Sequence, residues 1–560
     1  MGSLGSLTSP SSEGSPGSGY FVDGNPCDFD PEWWEPGTLP KRHPETHLDV
    51  LIVGAGLAGL MTALECWRRG HNVVGILERS HGPVYAGAFL PSHSNHHFIR
   101  GADVLTFGRP AGDIIVIGPS ATAAFRHWPD MMRELEADQH DSTMSYYTHN
   151  GELILGPTQL GFNDPKYMAE REGHPVTAPH QVRRKFFQML LRQVARVGLR
   201  VEYGQQVERY FEDEIARVGG VITKSGTIRV ADVVVAADAN KTKSALLIAG
   251  SHAPTQSAGM SVYRTSMPTE LAMQNDAFRA RWGAAIARNE ISHEFWTGPG
   301  IHMGLVVSPE FTAYGITPRD STVHNGGIQP IESWKPDVDP AEVIKVLQRL
   351  PDWDPAVLGL VSATPKGRII HWPLLWRNLR REWTSKGGHV VQVGEAAHSS
   401  LPASASGGTL AIEDAVTLAA CLQLSCAGGG GGRDGGGGGA RRAPTGTRIY
   451  NLLRYERVSC AQKMAFVNAE ALGDANMAEI RRHPEKIRVR FPEWLFHHDP
   501  EEYVYEKYGL AFAHVVLGRD KFVNTNLPPG HKFRPWTIEE VREDARSGKR
   551  VEDLLDGDWS

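Results

Sequence analysis

Three glycines and one glutamate carry the first recognisable chemistry in this chain. Gly54, Gly56 and Gly59 stand in the hexapeptide GAGLAG, and Glu78 follows Gly54 by 24 residues. The spacing assigns Gly54 to a tight turn, Gly56 to close approach of a pyrophosphate, and Gly59 to close packing of a helix on a strand. A carboxylate at Glu78 is placed to accept hydrogen bonds from ribose hydroxyls. Such residues need a βαβ unit to position them, and the surrounding pattern contains one. Residues 48–53 (LDVLIV) form an apolar run that reads as a buried parallel strand. Leu57, Leu60, Met61, Leu64 and Trp67 recur at helical spacing, and 73–77 (VVGIL) reads as the second strand. The free N–H groups at the helix start suit phosphate oxygens. The unit predicts dinucleotide binding; by itself it does not separate FAD from NAD.

A second constellation makes that separation. Residues 389–393 (HVVQV) read as another apolar strand, followed by Gly394-Glu395-Ala396-Ala397-His398, Leu401-Pro402, Gly407-Gly408 and a helix from about Thr409 to Leu424. The stretch GEAAHSSLPASASGGTLAIEDA resembles the flavin-ring motif GDAAH…P…GxG…EDA of FAD-dependent aromatic hydroxylases. Taken with GAGLAG and Glu78, the chain resembles the salicylate and para-hydroxybenzoate hydroxylase family over roughly residues 48–475, and more closely the fungal FAD monooxygenases of secondary metabolism. The resemblance implies FAD as cofactor, with Glu395 near the ribityl and pyrophosphate region and Gly408 at a close backbone approach. The helix that starts there presents its partial positive charge to the reduced flavin. Two departures stand out: Glu395 replaces the family's usual Asp, and Ala239 replaces the glycine that usually follows the acid at Asp238. The segment VRRKFFQMLL resembles the family's HRxxLxxxL and carries its FAD-contacting arginine onto Arg183, with Arg184 as the neighbouring alternative. His398 receives no role.

On the substrate side, residues 251–371 hold short β-like runs (GMSVYR, HMGLVV, TAYGIT, RIIHW) and predict a sheet that covers the flavin. Pockets of this kind are mostly apolar with a few placed polar groups. Met260–Arg264 resembles the family strand that ends in an aromatic–arginine pair, which implies Arg264, and after it Tyr263, as active-site residues. Trp372, Trp376 and Arg377 read as core before pocket lining. Only one GxGxxG occurs, so no separate nicotinamide-binding domain is expected. The resemblance then implies a single-component enzyme: NAD(P)H reduces FAD, O2 adds at the flavin C4a carbon, and the hydroperoxide passes an oxygen to an electron-rich small organic substrate. A flavin oxidase or epoxidase on the same fold, or an inactive flavin-binding protein, remains the alternative.

The fold class expected is α/β, a Rossmann-like FAD-binding domain split around an inserted mixed β-sheet substrate domain. The FAD domain is assigned to 47–250 and 372–475, the sheet to 251–371, a disordered tail to 1–46, a flexible Gly-rich loop to 427–446 and a C-terminal appendage to 476–560. A net charge of −6 among 560 residues, with 41% apolar residues, argues against nucleic-acid binding. Five cysteines without CxxC spacing fit reduced thiols and a cytoplasmic setting. No integral membrane segment is expected, although Met1–Ser6 fits the loose myristoylation pattern. His93, His96 and His97 cluster in an irregular stretch, and no metal is expected.

Residues 88–111 interrupt a segment whose ends, with one of the two flanking glycines retained, read VYAG-DIIVIGPSA, which resembles the family's VGAGIxLxPNA stretch near FAD and brings Gly112 into the cofactor set. The interruption is 24 residues, 72 nucleotides, and leaves the reading frame intact. Gly87-Ala88 and Ala111-Gly112 can be encoded with GT…AG splice borders. Two readings stand: a translated intron, or a surface loop of the kind chains tolerate at modest entropic cost. The intron reading expects transcripts that mostly lack these codons, and a deleted protein that binds FAD at least as well. Sequencing of the transcripts decides, and abundant messages containing the stretch would remove the intron.

Overall fold

The computed structural model describes residues 39–82, 114–137, 143–159, 163, 180–319, 338–402, 405–427, 442–473, 477–488, 492–519, 521–547, 549 and 555–559. The inserted stretch 88–111, Gly112, the histidine cluster at 93–97, most of the Gly-rich loop and most of the N-terminal tail lie outside the described residues.

The run LDVLIV is buried on both sides, so it sits mid-sheet. Asp49–Val53 pairs in parallel with Val233–Ala236 on one side and Asn72–Leu77 on the other. Val390–Gln392 and Val201–Glu202 complete a five-stranded parallel sheet in the order 390–392, 233–236, 49–53, 72–77, 201–202. The chain leaves Asp49–Val53 in one direction and later fills the other side, so the C-terminal end of this strand is the switch point where α/β sheets bind ligands. Helix Leu57–Arg68 follows at that end.

The second layer is a seven-stranded mixed sheet in the order 370–376, 256–268, 311–318, 301–307, 292–298, 144–148, 153–158. Its pairings are antiparallel except that of Ser292–Gly298 with Met144–Thr148. Here the expected boundaries change. The sheet recruits Met144–Thr148 and Leu153–Thr158, which the sequence reading placed in the FAD domain, and it extends through Trp376. Backbone hydrogen bonding is the cause: Ser292–Gly298 would otherwise be an open edge, which chains commonly cover.

The C-terminal segment is no appendage either. Trp494, Leu495, Phe496, Val504, Ala511 and Trp559 join the same apolar core as Leu60, Met61, Leu64 and Leu410. Helix Pro500–Leu517 starts with Asp499 capping two N–H groups and delivers Glu501 to the first helix. Glu501 pairs with Arg68 at 3.1 Å and with Arg69, whose side chain is fully buried. Helix Gly407–Ala427 is long and apolar enough to cross a membrane, but 78% of its most apolar window is buried inside the protein, where it packs as the central core helix.

Removing the carboxylate of Glu501 leaves the Arg69 guanidinium buried with, among the described residues, only Gln423 and Tyr505 as side-chain hydrogen-bond partners. Glu501→Ala should therefore lose about 3–5 kcal/mol of stability in denaturant unfolding. An unchanged midpoint would show that the C-terminal helix is dispensable packing.

Candidate active site

The glycine turn behaves as its spacing predicts. Gly54 sits at φ +103°, and an added Cβ would lie 2.4 Å from the Ala237 carbonyl oxygen. A Cβ on Gly59 would lie 1.9 Å from the Gly54 carbonyl oxygen, so only glycine allows the helix to come this close to the turn. Gly56 is different: it caps helix Leu57–Arg68, is exposed, and its Cβ would point into open space. The first helical turn carries no acidic residue. The space beside Gly56 at the helix start is thus open, which a pyrophosphate cradle requires. Glu78 follows the second strand and accepts from Ala55 N at 3.0 Å and from Ser80 N at 2.9 Å. These bonds hold the carboxylate beside the glycine turn and leave it acceptor capacity for ribose hydroxyls.

The second motif comes to the same place. Gly394 adopts φ +58°, and a Cβ there would approach the Ala58 Cβ to 2.7 Å. The turn carrying Glu395 is therefore pressed against the start of the first helix, with the Glu395 side chain exposed. Gly408 lies in the first turn of Gly407–Ala427, where a Cβ would meet Ile117 Cδ1 at 2.8 Å. That first turn also lacks acidic residues. Arg183 opens helix Arg183–Arg196, and the preceding strand pairs Val182 with Ile114. This register brings Arg183 to the point where the described chain resumes after Gly112. The Arg184 side chain lies outside the described residues.

The departure at Ala239 has a structural signature. Ala239 sits at φ +63°, in the left-handed region that favours glycine. The turn keeps the geometry of a glycine without having one. The preceding Asp238 accepts a hydrogen bond from the Tyr210 hydroxyl at 2.9 Å, and burial raises its pKa.

Arg264 and Tyr263 are neighbours on strand Gln256–Pro268, so their side chains leave opposite faces of the sheet. Tyr263 is 6% exposed, stacks on His371 with centroids 4.4 Å apart, and belongs to the apolar cluster under helices Asp276–Ala287, Pro340–Leu347 and Pro355–Ala363. Its expected place beside Arg264 is thereby corrected: alternation puts the two on opposite faces, Tyr263 in the apolar core. The face of Arg264 is also that of Val262 and Trp372, which pack with Leu401 from the Glu395 loop and Phe466 from helix Ala443–Gly473. That face is turned toward the nucleotide-binding half.

One group was missed. Glu413 and Asp414, in the EDA of the second motif, are wholly buried and bind Arg454 and Arg457. Burial alone would raise both carboxyl pKa values, yet Arg457 and Arg454 hold Glu413, and His398 and Arg454 hold Asp414, below the usual range. Asp414 Oδ2 accepts from Gly394 N at 2.9 Å and lies 2.6 Å from His398 Nε2. His398 is thus a buried anchor of the Glu395 turn. Adjacent acids in an otherwise apolar helix were the available signal.

Comparison with known proteins agrees with this geometry. Two families, each described as an FAD binding domain, match residues 49–309 and 257–434. The FAD-dependent monooxygenase AacuC of Aspergillus aculeatus is 63% identical over 543 residues, covering 96% of this chain and 99% of the relative. The chain belongs to the FAD-dependent monooxygenases. A Claviceps purpurea FAD-dependent monooxygenase is 62% identical over 545 residues, covering 97% of this chain and 99% of the relative. Among solved structures, FqzB superposes with a TM-score of 0.69 at 23% identity, over 88% of this chain and 99% of that one. Salicylate hydroxylase in a substrate complex gives 0.58 at 19% identity, over 83% and 98% of the two chains. These two show the shared fold.

For this monooxygenase, Glu78→Ala should weaken FAD retention by roughly 1.5–3 kcal/mol, the range for hydrogen bonds to a charged group. Flavin titration of the apoprotein measures it. Unchanged affinity would remove Glu78 from the cofactor site.

Proposed function

We propose that this enzyme hydroxylates an electron-rich small organic substrate in fungal secondary metabolism, with NAD(P)H as reductant. The overall reaction consumes one NAD(P)H, one proton and one O2, and yields hydroxylated product, NAD(P)+ and water. Bound FAD supplies the two-electron chemistry that this requires. The chain's own residues have binding and positioning roles. The backbone of Gly54–Gly59 and the start of helix Leu57–Arg68 would hold the pyrophosphate, and Glu78 the ribose. The Glu395 turn and the start of helix Gly407–Ala427 would hold the flavin end. Arg264 would orient the substrate on the facing sheet. Arg183 completes the cofactor set in this reading, and the four described cysteines, all free, suit a reducing cytoplasm.

The observation that carries the reading is convergence. The Glu395 turn touches the glycine-turn helix through Gly394 and Ala58, while Leu401 of the same loop packs with the sheet face of Arg264. Both halves of a flavin site meet at one loop.

Anaerobic NADPH or NADH should bleach the flavin absorbance, O2 should restore it, and isotopically heavy O2 should enter the product. Reoxidation without heavy oxygen in any product favours an oxidase, and no bleaching by either nucleotide overturns the proposal. Arg264→Ala should retain FAD yet lose product. Normal turnover would make Arg264 merely structural, and flavin loss would move it to the cofactor site or the core.

A further inference from the structure

The face of the seven-stranded sheet that carries Arg264 has a gap in its side chains. Register places Phe295 opposite Gly304, Gly304 opposite Gly315, and Gly315 opposite Arg264. Directly opposed residues share a face, so these four form one row across four strands. Its two central members have no side chain. From Phe295 to Arg264 the row spans three strand spacings, about 14 Å.

Packing does not explain these glycines. Neither is among the glycines at positive φ. A Cβ on Gly304 would meet nothing within 4 Å, and one on Gly315 would touch only Val262 Cγ2 at 3.5 Å, an ordinary contact. Gly304 is exposed although its strand neighbours Met303 and Leu305 are buried. Glycine in a strand interior weakens the strand, and often marks a place where a ligand or another backbone comes close.

The adjacent row on the same face supplies polar groups. It runs Thr297, His302, Thr317, continuing toward Val262 and Trp372. Thr297 Oγ1 and His302 Nδ1 are both buried and have no hydrogen-bond partner among the described residues. The His302 ring stacks on Phe295 with centroids 5.6 Å apart. Burial, with Arg319 adding to it, lowers the His302 pKa to about 4, so the imidazole is neutral at physiological pH. A buried ring nitrogen that meets no protein group costs stability, and such atoms in a native fold commonly mark a functional position.

We propose that Gly304 and Gly315 form the floor that sets the size of substrate this monooxygenase accepts, and that His302, half-buried beside it, is a positioning residue whose ring turns as substrate enters to hydrogen-bond an oxygen on the substrate's ring. The ligand this fits is planar. It lies over the two glycines, meets the Phe295–His302 stack at one end, and reaches Arg264 at the other. The assignment deepens the proposed function, since it rests on this face being the substrate wall.

The probe is 2-naphthol, a flat ring system with one hydroxyl, titrated into FAD-loaded enzyme and followed by perturbation of the flavin absorbance. Gly304→Val should weaken its binding roughly ten-fold or more, with FAD content and melting temperature unchanged. Gly304→Ala should fall between, and it serves if the valine variant folds poorly. His302→Leu should weaken binding, and His302→Asn should recover most of it, which a purely structural role would not produce. Binding by Gly304→Val with the affinity of the unaltered enzyme overturns the recess. So does failure of the unaltered holoenzyme to bind the probe. In either case bleaching by NAD(P)H and heavy-oxygen incorporation leave the proposed hydroxylase function standing, so the two failures are distinguishable.

Discussion

The arrangement depends on one buried ionic cluster. Glu413 and Asp414 follow one another in the central helix, and Arg454 and Arg457 lie one turn apart in the next. Arg454 donates to Asp414 at 2.7 Å and Glu413 at 2.6 Å, while Arg457 donates to Glu413 at 2.9 Å and 3.0 Å. Arg457 also donates to the carbonyls of Trp494, Leu495 and Asn526, and Ser120 donates to Glu413. Desolvating four charges is expensive, and the attraction between them compensates only when nearly every donor and acceptor is used. Here the leftover donors go to the C-terminal segment, and the leftover acceptor capacity of Asp414 goes to Gly394 and His398. The cluster therefore fixes the Glu395 turn, two long helices and the C-terminal segment to one another.

This explains why the C-terminal segment belongs to the core. Its carbonyls are partners that Arg457 cannot replace with water, and Phe496 reaches the site's other border, where a Cβ on Gly118 would meet its ring at 2.2 Å. Gly118 N in turn donates to Thr409 Oγ1, one residue beyond Gly408. The start of the central helix is thus held from both sides by distant sequence.

The sheet layer works by a different constraint. One face is filled by large side chains, including Trp282, Trp296, Phe278 and Tyr314, under three helices. The other face packs as well, Val262 and Trp372 against Leu401 and Phe466, and Phe295 against Ile480 and Ile487, with Arg264, Gly304 and Gly315 between them. Strand alternation alone then sorts Tyr263 from Arg264, and aligns Phe295, Gly304, Gly315 and Arg264 without any of them being adjacent in sequence.

The local units were legible before the structure. The βαβ unit, its three glycines and Glu78 lie within one short stretch, and their positions follow from helix and strand periodicity plus the steric permissiveness of glycine. The strand–turn–helix around Glu395 was legible for the same reason. The backbone demand at Ala239 was visible only as an unusual residue, because φ is not written in a side chain. What the tertiary structure alone decided was everything set by pairing over distance: the recruitment of Met144–Thr148 and Leu153–Thr158 into the seven-stranded sheet, the face on which Tyr263 falls, the partners of Glu413 and Asp414, and the glycine row. Strand order and register are fixed by which edges meet in the folded chain. A sequence states the two-residue alternation of a strand, but the burial of both faces here removes the polar pattern that would have told which face is which.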